Sequence, residues 1–436
     1  MSARPTRTTS AERGCRRRAF LVRMGVAPWL CWVPRRGAAA PSNRIQLGMI
    51  GVGWHGFEVN LKSFLQEPDC RVVAVCDVRE RHVRRAVEEI RKAYGPTDVR
   101  TYRDFRELLA DPSVDAVCIS TPDHWHVTMS IAAARAGKDV FCEKPTWTIA
   151  EGRELVKAVE ETGRVFQFGL EDRSLIHYHK LVEWVRNGEI GELRRIEVGL
   201  PAGRVVPKEP PEEPPADLDY DLWVGPAPWA PYSKSRTEPM VWRQIRDYSG
   251  GMITDWGAHL VDTAQVAAGM ERGGPVEIEG EGEIPTDAMT TTPVTFTVRY
   301  RYPNGVEMTV RSTGPSIRLE GTRGWVACTG WRGQITAEPA EILQRRYAPG
   351  ESRFGPRPPT EHRNFLDCVR SRAATTYPAE DAHRLSTTLH LGVLAIELRR
   401  RLRWNPDTES FDDDTEANRL RTRPVRDDWS KRRRMA

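Results

Sequence analysis

Short, continuous apolar runs alternate with stretches of helical periodicity through the first third of the chain after residue 43. The runs are Arg44–Gly53, Arg71–Val78, Val114–Ser120 and Asp139–Cys142. Helical patterns fill the gaps: one running to Gln66, then Arg79–Tyr94, Arg103–Ala110 and Trp125–Ala136. Unbroken apolar strands between helices predict a parallel sheet covered on both faces. From about Gly191 the pattern becomes strict alternation, in Leu193–Gly199, Val276–Glu283, Val294–Tyr302, Val306–Ser312, Ile317–Glu320, Trp325–Cys328 and Ile335–Glu338. Tyr302-Pro303-Asn304-Gly305-Val306 is a hairpin turn between two of these. A mostly antiparallel sheet with one solvated face is expected, offering a surface to a second copy of the chain. Pro201–Asp217 has no periodicity and reads as a long loop. Glu361–Arg372 and Ala379–Arg403 read as two helices. The expected fold is an α/β doubly wound parallel domain over 44–170, then an α+β domain with a large, mostly antiparallel sheet over 171–404. Residues 405–436 read as a polar tail.

Composition narrows the function. Eight cysteines are spread over 436 residues without a CxxC pair, which excludes a zinc ribbon or a disulfide scaffold. Cys70, Cys76, Cys118 and Cys142 lie in or beside predicted strands and read as packed free thiols. No apolar stretch reaches the roughly 18–20 residues of a membrane-spanning helix, so no membrane insertion is expected. The net charge is +5, but residues 1–40 contribute +8, from nine arginines against Glu12, so the remainder carries −3. That body gives no reason to expect nucleic acid as a partner. The basic leader has its own pattern. Arg16-Arg17-Arg18-Ala19-Phe20-Leu21 is followed by an apolar run from Met24 to Val33 and by Ala38-Ala39-Ala40. Basic, apolar and small segments in this order read as an export signal over residues 1–43, of a twin-arginine type, with a periplasmic destination. A plain basic extension on a cytoplasmic protein is the alternative.

The candidate chemistry gathers at strand ends. Gly51-Val52-Gly53-Trp54-His55-Gly56 closes the first run and opens a helix. In that context G-x-G-x-x-G is a dinucleotide fingerprint: a tight turn, a bare backbone for the pyrophosphate, and close helix packing. Asp77 ends the second run, 21 residues past Gly56. A carboxylate there suits the ribose hydroxyls of NAD and repels the 2′-phosphate of NADP, although Arg79 and Arg81 could soften the preference. Ser120-Thr121-Pro122-Asp123-His124-Trp125-His126 and Glu143-Lys144-Pro145 follow two further strands, where open sheets bind ligands. Thr121, Pro122, His124, His126, Glu143 and Lys144 therefore join the cofactor candidates. No metal site is expected. Downstream, Asp255 and His259 stand at i and i+4, hence on one face of a helix. They are either a buried, satisfied core pair or an oriented base.

The glycine motif, the acid after the second strand, T-P-x-x-x-H and E-K-P, in this order, resemble the Gfo/Idh/MocA oxidoreductases. The likeness continues through Arg164–Ser174, Leu218–Tyr232, Gly250–Asp262 and Pro378–Trp404. It implies a nicotinamide enzyme acting on sugars, polyols or related compounds, with D-x-x-x-H as its proton-handling segment. On that basis Lys144, His259 and Asp255 are the catalytic candidates, His259 tuned by Asp255. The division of proton transfer between Lys144 and His259 stays open. Asp262 is the weaker partner for His259. Glu171-Asp172-Arg173-Ser174 and Trp242-Arg243 are second-rank substrate candidates, with Arg173, Trp242 and Arg243 singled out. Three functions fit: a sugar or cyclitol oxidoreductase, a glycoside hydrolase or lyase that works by transient oxidation, and a cofactor-binding protein without turnover.

Overall fold

The computed structural model describes residues 44–348, 350–426 and 429; the predicted export signal lies outside them. Six strands, β1 (Ile45–Ile50), β2 (Cys70–Cys76), β3 (Arg100–Tyr102), β4 (Ala116–Ile119), β5 (Asp139–Glu143) and β6 (Phe166–Gly169), form one sheet in the order β3-β2-β1-β4-β5-β6. Every pairing in it is parallel. Helices cover both faces, so β4 and β5 are buried at every position, as their continuous apolar runs require. The strand order reverses between β1 and β4, and the crevice beyond the strand C-termini at that switch point is where such sheets bind ligands.

The second sheet has nine strands: β7 (Leu193–Gly199), β8 (Glu277–Glu283), β9 (Thr295–Arg301), β10 (Glu307–Arg311), β11 (Ser316–Gly321), β12 (Gly324–Thr329), β13 (Ile335–Glu338), β14 (Leu402–Asn405) and β15 (Ser410–Phe411). They lie in the order β13-β12-β11-β7-β10-β9-β8-β14-β15, and only β7 and β10 run parallel. Phe296, Val298 and Tyr300 of β9 point into the core, whereas Arg299 and Arg301 face out and pair with Glu281 and Glu277 of β8. The Asn304-Gly305 turn joins β9 to β10 as predicted, with Gly305 at φ +81°.

One expectation near the C-terminus needs correction. The helix Ala379–Leu398 stops at Arg399, which takes a left-handed conformation at φ +52°, and the chain then enters β14. Leu402 and Trp404 alternate with outward Arg403, a period-2 signal too short to stand out. The polar tail is also partly ordered, forming β15 and a short helix, Thr415–Arg419. The six cysteines from Cys70 onward are free and buried, as expected for packed thiols. Among the described residues no helix is long and apolar enough to cross a membrane.

Candidate active site

The turn after β1 is built for close approach. Gly51 sits at φ +83°, and a Cβ there would lie 2.7 Å from the Ser120 carbonyl oxygen. A Cβ on Gly56 would come within 2.2 Å of the Gly51 oxygen, so the helix starts directly against the strand. At Gly53 an added Cβ would meet nothing nearer than His82 at 3.8 Å, which leaves the backbone open to a ligand. Asp77 braces this turn: its Oδ2 accepts from the Val52 N–H at 2.8 Å and its Oδ1 from the Arg79 N–H at 2.8 Å. His82 Nδ1 also lies 3.4 Å from Oδ2, so with about two acceptor positions per oxygen it is Oδ1 that keeps capacity for a ribose hydroxyl. A cavity of about 540 Å³ between the helix Glu80–Tyr94 and β3 includes Asp77, but also Glu80, Arg84, Glu88 and Arg91, and no residue of the glycine turn lines it. Bare glycine backbone and a carboxylate just past the end of β2 together fit a dinucleotide. Arg79 is 7 % exposed and its guanidinium donates to Thr237 Oγ1. Arg81 turns toward Asp217 at 3.9 Å.

His55 links this turn to the end of β5. Its Nε2 lies 3.0 Å from Glu143 Oε1, which also accepts from Asn60 Nδ2 at 2.8 Å. Asn60 lies in the π-helical turn Gly56–Leu61, and its Oδ1 meets His362 Nε2 at 2.8 Å. Burial alone would raise the Glu143 carboxyl, but His55, Asn60 and Lys144 outweigh it and bring it to about 2. Trp54, in contrast, is 61 % exposed.

Two charge-paired groups stand beyond the strand ends, and their pairing differs from the expected one. Lys144 Nζ donates to Asp255 Oδ1 at 2.6 Å and to the Asp255 carbonyl oxygen at 2.9 Å. Arg243 Nε lies 3.2 Å from the same Oδ1. Burial opposes the Asp255 charge, but Lys144 and Arg243 hold its carboxyl far below the usual range. His259 is partnered by Asp172, with Nδ1 2.7 Å from Asp172 Oδ2 and 3.9 Å from Glu171 Oε2. Asp255 therefore does not orient His259. Trp256, between the helices Met252–Asp255 and Gly257–Ala268, keeps helical backbone angles (φ −77°, ψ −30°), so the i,i+4 spacing holds, but each side chain takes its partner from another element. Burial disfavours the imidazolium, but Asp172 overrides it and His259 is raised above its ordinary value. Its Nε2 has no hydrogen bond among the described residues. Trp256 and Trp331 pack around the ring at 5.8 and 5.5 Å between centroids. Trp331 comes from the β12–β13 hairpin, whose next residue, Arg332, pairs with Glu171 at 3.0 Å.

Several other candidates hold the site together from behind. His124 is buried, its Nε2 3.0 Å from the Trp223 carbonyl oxygen among the rings of Trp125, Trp147, Trp223 and Tyr248. That aromatic cage keeps it from a cofactor. His126 is also buried and ties two loops, with Nδ1 2.8 Å from the Pro145 oxygen and Nε2 2.8 Å from the Thr121 oxygen. It positions the segment carrying Lys144 instead of contacting a ligand. Thr121 and Pro122 lead into the helix Asp123–Arg135 at the switch point. Arg173 is not available to a substrate: it donates to Asp262 Oδ1 and Asp381 Oδ2, each at 2.8 Å, and lies 3.7 Å over the Tyr377 ring. The same pair removes Asp262 as a partner for His259. Trp242 is 6 % exposed in an aromatic cluster, with Arg243 4.2 Å over its ring. Asp172 and Asn60 were not singled out from the sequence. Asp172 stood in a quoted segment next to Arg173, and only the turn Asp172–Ser174 decides which side chain meets His259.

Known proteins are similar to this chain in sequence and in fold. An inositol 2-dehydrogenase of Rhizobium meliloti is 36 % identical over 155 residues, 35 % of this chain and 44 % of that protein. A glycosyl hydrolase family 109 protein of Stenotrophomonas maltophilia is 29 % identical over 269 residues, 59 % of this chain and 56 % of that one. The chain thus spans about half the length of these curated relatives. The solved aldose-aldose oxidoreductase of Caulobacter crescentus has the same fold, with a TM-score of 0.62 at 20 % identity over 83 % of this chain and 99 % of that one. Residues 45–170 match the NAD-binding Rossmann fold of the oxidoreductase family, and residues 205–431 match its C-terminal alpha/beta domain. With both parts in place, the chain belongs to the Gfo/Idh/MocA oxidoreductase family.

Proposed function

We propose that this protein is an NAD-dependent oxidoreductase acting on a hydroxyl or carbonyl of a sugar, glycoside or cyclitol. One observation carries the reading. His259 is fixed through Nδ1 by Asp172 while its Nε2 stays free, beside a lysine held by Asp255 at the crevice of a dinucleotide-type sheet. When bound, NAD supplies the hydride acceptor. The chain's own residues then handle the proton. His259 Nε2 takes it from the substrate hydroxyl, with Asp172 fixing the tautomer and stabilising the imidazolium. Lys144, held against Asp255, stabilises charge developing on the reacting oxygen. In the reverse direction the same groups return the proton to a carbonyl. The glycine turn and Asp77 favour NAD over NADP. Lys144→Ala and His259→Ala should each leave NAD binding near wild type while kcat falls at least about 100-fold, with a lowered unfolding midpoint from the carboxylate each leaves buried. A His259 variant that loses its fold would favour the structural role instead.

A second reading rests on the family 109 glycosyl hydrolases among the relatives. Transient oxidation of a glycoside activates a neighbouring bond for elimination, and the hydride is then returned. The same His259 and Lys144 serve both readings. Release of aglycone from a glycoside without net cofactor consumption separates the second from the first. A cofactor-binding protein without turnover would not need a base with a free Nε2 opposite a paired lysine. The outward Arg/Glu face of the nine-stranded sheet is a reasonable surface for self-association, and residues 1–43 for export.

A further inference from the structure

We propose that His55, as an imidazolium, is a pH-dependent positioning residue for the cofactor, donating one ring N–H to Glu143 and offering the other to the dinucleotide's anionic pyrophosphate. The inference rests on the NAD reading above and extends it to a residue that never meets the reacting carbon. His55 stands inside the glycine turn, directly before the helix that begins at Gly56. Its side chain is about one-third exposed and that of Glu143 about one-tenth. Nε2 is engaged by Glu143 at 3.0 Å, and Nδ1 has no hydrogen bond among the described residues.

The charge state decides what the turn presents. As the imidazolium, His55 has two donors and neutralises Glu143. Once neutral, the ring keeps its single proton on the nitrogen facing the carboxylate. Nδ1 then turns a lone pair outward, and the negative charge of Glu143 is no longer offset. Both changes disfavour an anion at the same place. Glu143 and Lys144 at the end of β5 and Arg243 from the segment after Pro239 are the charged groups acting on the ring. Glu143 outweighs burial and the two cations, so His55 is raised above its ordinary value. Asn60 and, through it, His362 hold Glu143 in place. Affinity for NAD should therefore be full at pH values below the raised value and fall as pH climbs through it.

Titration calorimetry of the full chain with NAD between about pH 6 and pH 9 tests this, a window in which an ordinary lysine stays charged. Wild type should lose about tenfold in affinity across it, the scale of one charge-assisted hydrogen bond. His55→Lys keeps a cation throughout and should bind without that slope. His55→Gln keeps one donor without charge and should bind weakly at every pH. Flat wild-type binding, or a full slope in His55→Gln, overturns the proposal while leaving NAD as the cofactor. Failure of wild type to bind NAD at any pH overturns the cofactor reading and this proposal with it.

Discussion

At 2.7 Å from Asp172, the Nδ1 of His259 has a partner that fixes both its orientation and its proton. Asp172 is fully buried, and one of its oxygens, Oδ1, has no hydrogen-bond partner among the described residues, so the His259 bond is the main use of its charge. Asp172→Asn keeps the shape and removes the carboxylate. It should lower kcat at least about 100-fold with little change in thermal unfolding. The sign of its pH effect also follows. For alcohol oxidation the neutral imidazole is the active form, so the wild-type rate should rise as pH climbs through a His259 pKa raised by Asp172. Asp172→Asn should move that limb to lower pH, which a kcat profile reads directly. Asp77 makes a separate prediction. Asp77→Ala removes the acceptor for Val52 and the ribose site together, so NAD affinity should fall about tenfold or more while the ratio of NAD to NADP affinity drops. An unchanged ratio in competitive titrations would remove Asp77 from cofactor selection.

Between elements, buried ion pairs do the positioning. Arg173, at the turn after β6, joins Asp262 on the helix Gly257–Ala268 to Asp381 on the helix Ala379–Leu398. Removing one member of such a cluster strands the others in low dielectric. Arg173→Met should cost about 3–5 kcal/mol and lower the unfolding midpoint by several degrees. If instead it unfolds like wild type but loses substrate affinity, Arg173 returns to the substrate site. This contrast also shows where sequence reasoning stopped. Strand runs, helix periods and the glycine turn are local signals, so both sheets were legible. Pairing is not local. An i,i+4 spacing joined Asp255 to His259 on paper, but Lys144 at the end of β5 took Asp255 and left His259 to a residue 87 positions away. The two histidines of T-P-D-H-W-H looked alike in sequence, and only the aromatic cage around His124 and the two carbonyls around His126 assign them to structural roles.

Across the whole molecule, the remaining proposals concern where it works and what it does there. If residues 1–43 are a twin-arginine signal, replacing Arg17 and Arg18 with lysine keeps the charge but removes the guanidinium forks. The double variant should stay in the cytoplasm, uncleaved and still able to bind NAD, whereas wild type is processed and exported. Full-length wild type in the cytoplasmic fraction would reduce the leader to a tail. The central claim, hydride transfer to NAD with His259 and Lys144 handling the proton, has a direct optical test. The purified protein is mixed with NAD and, in turn, with myo-inositol, glucose and aryl glycosides, and the near-ultraviolet absorbance of reduced nicotinamide is followed over a single turnover. Wild type should reduce the cofactor with at least one of these compounds, and Lys144→Ala and His259→Ala should bind NAD without reducing it. A wild-type protein that binds NAD and reduces it with none of them, or a His259→Ala protein that reduces it at the wild-type rate, would contradict the account.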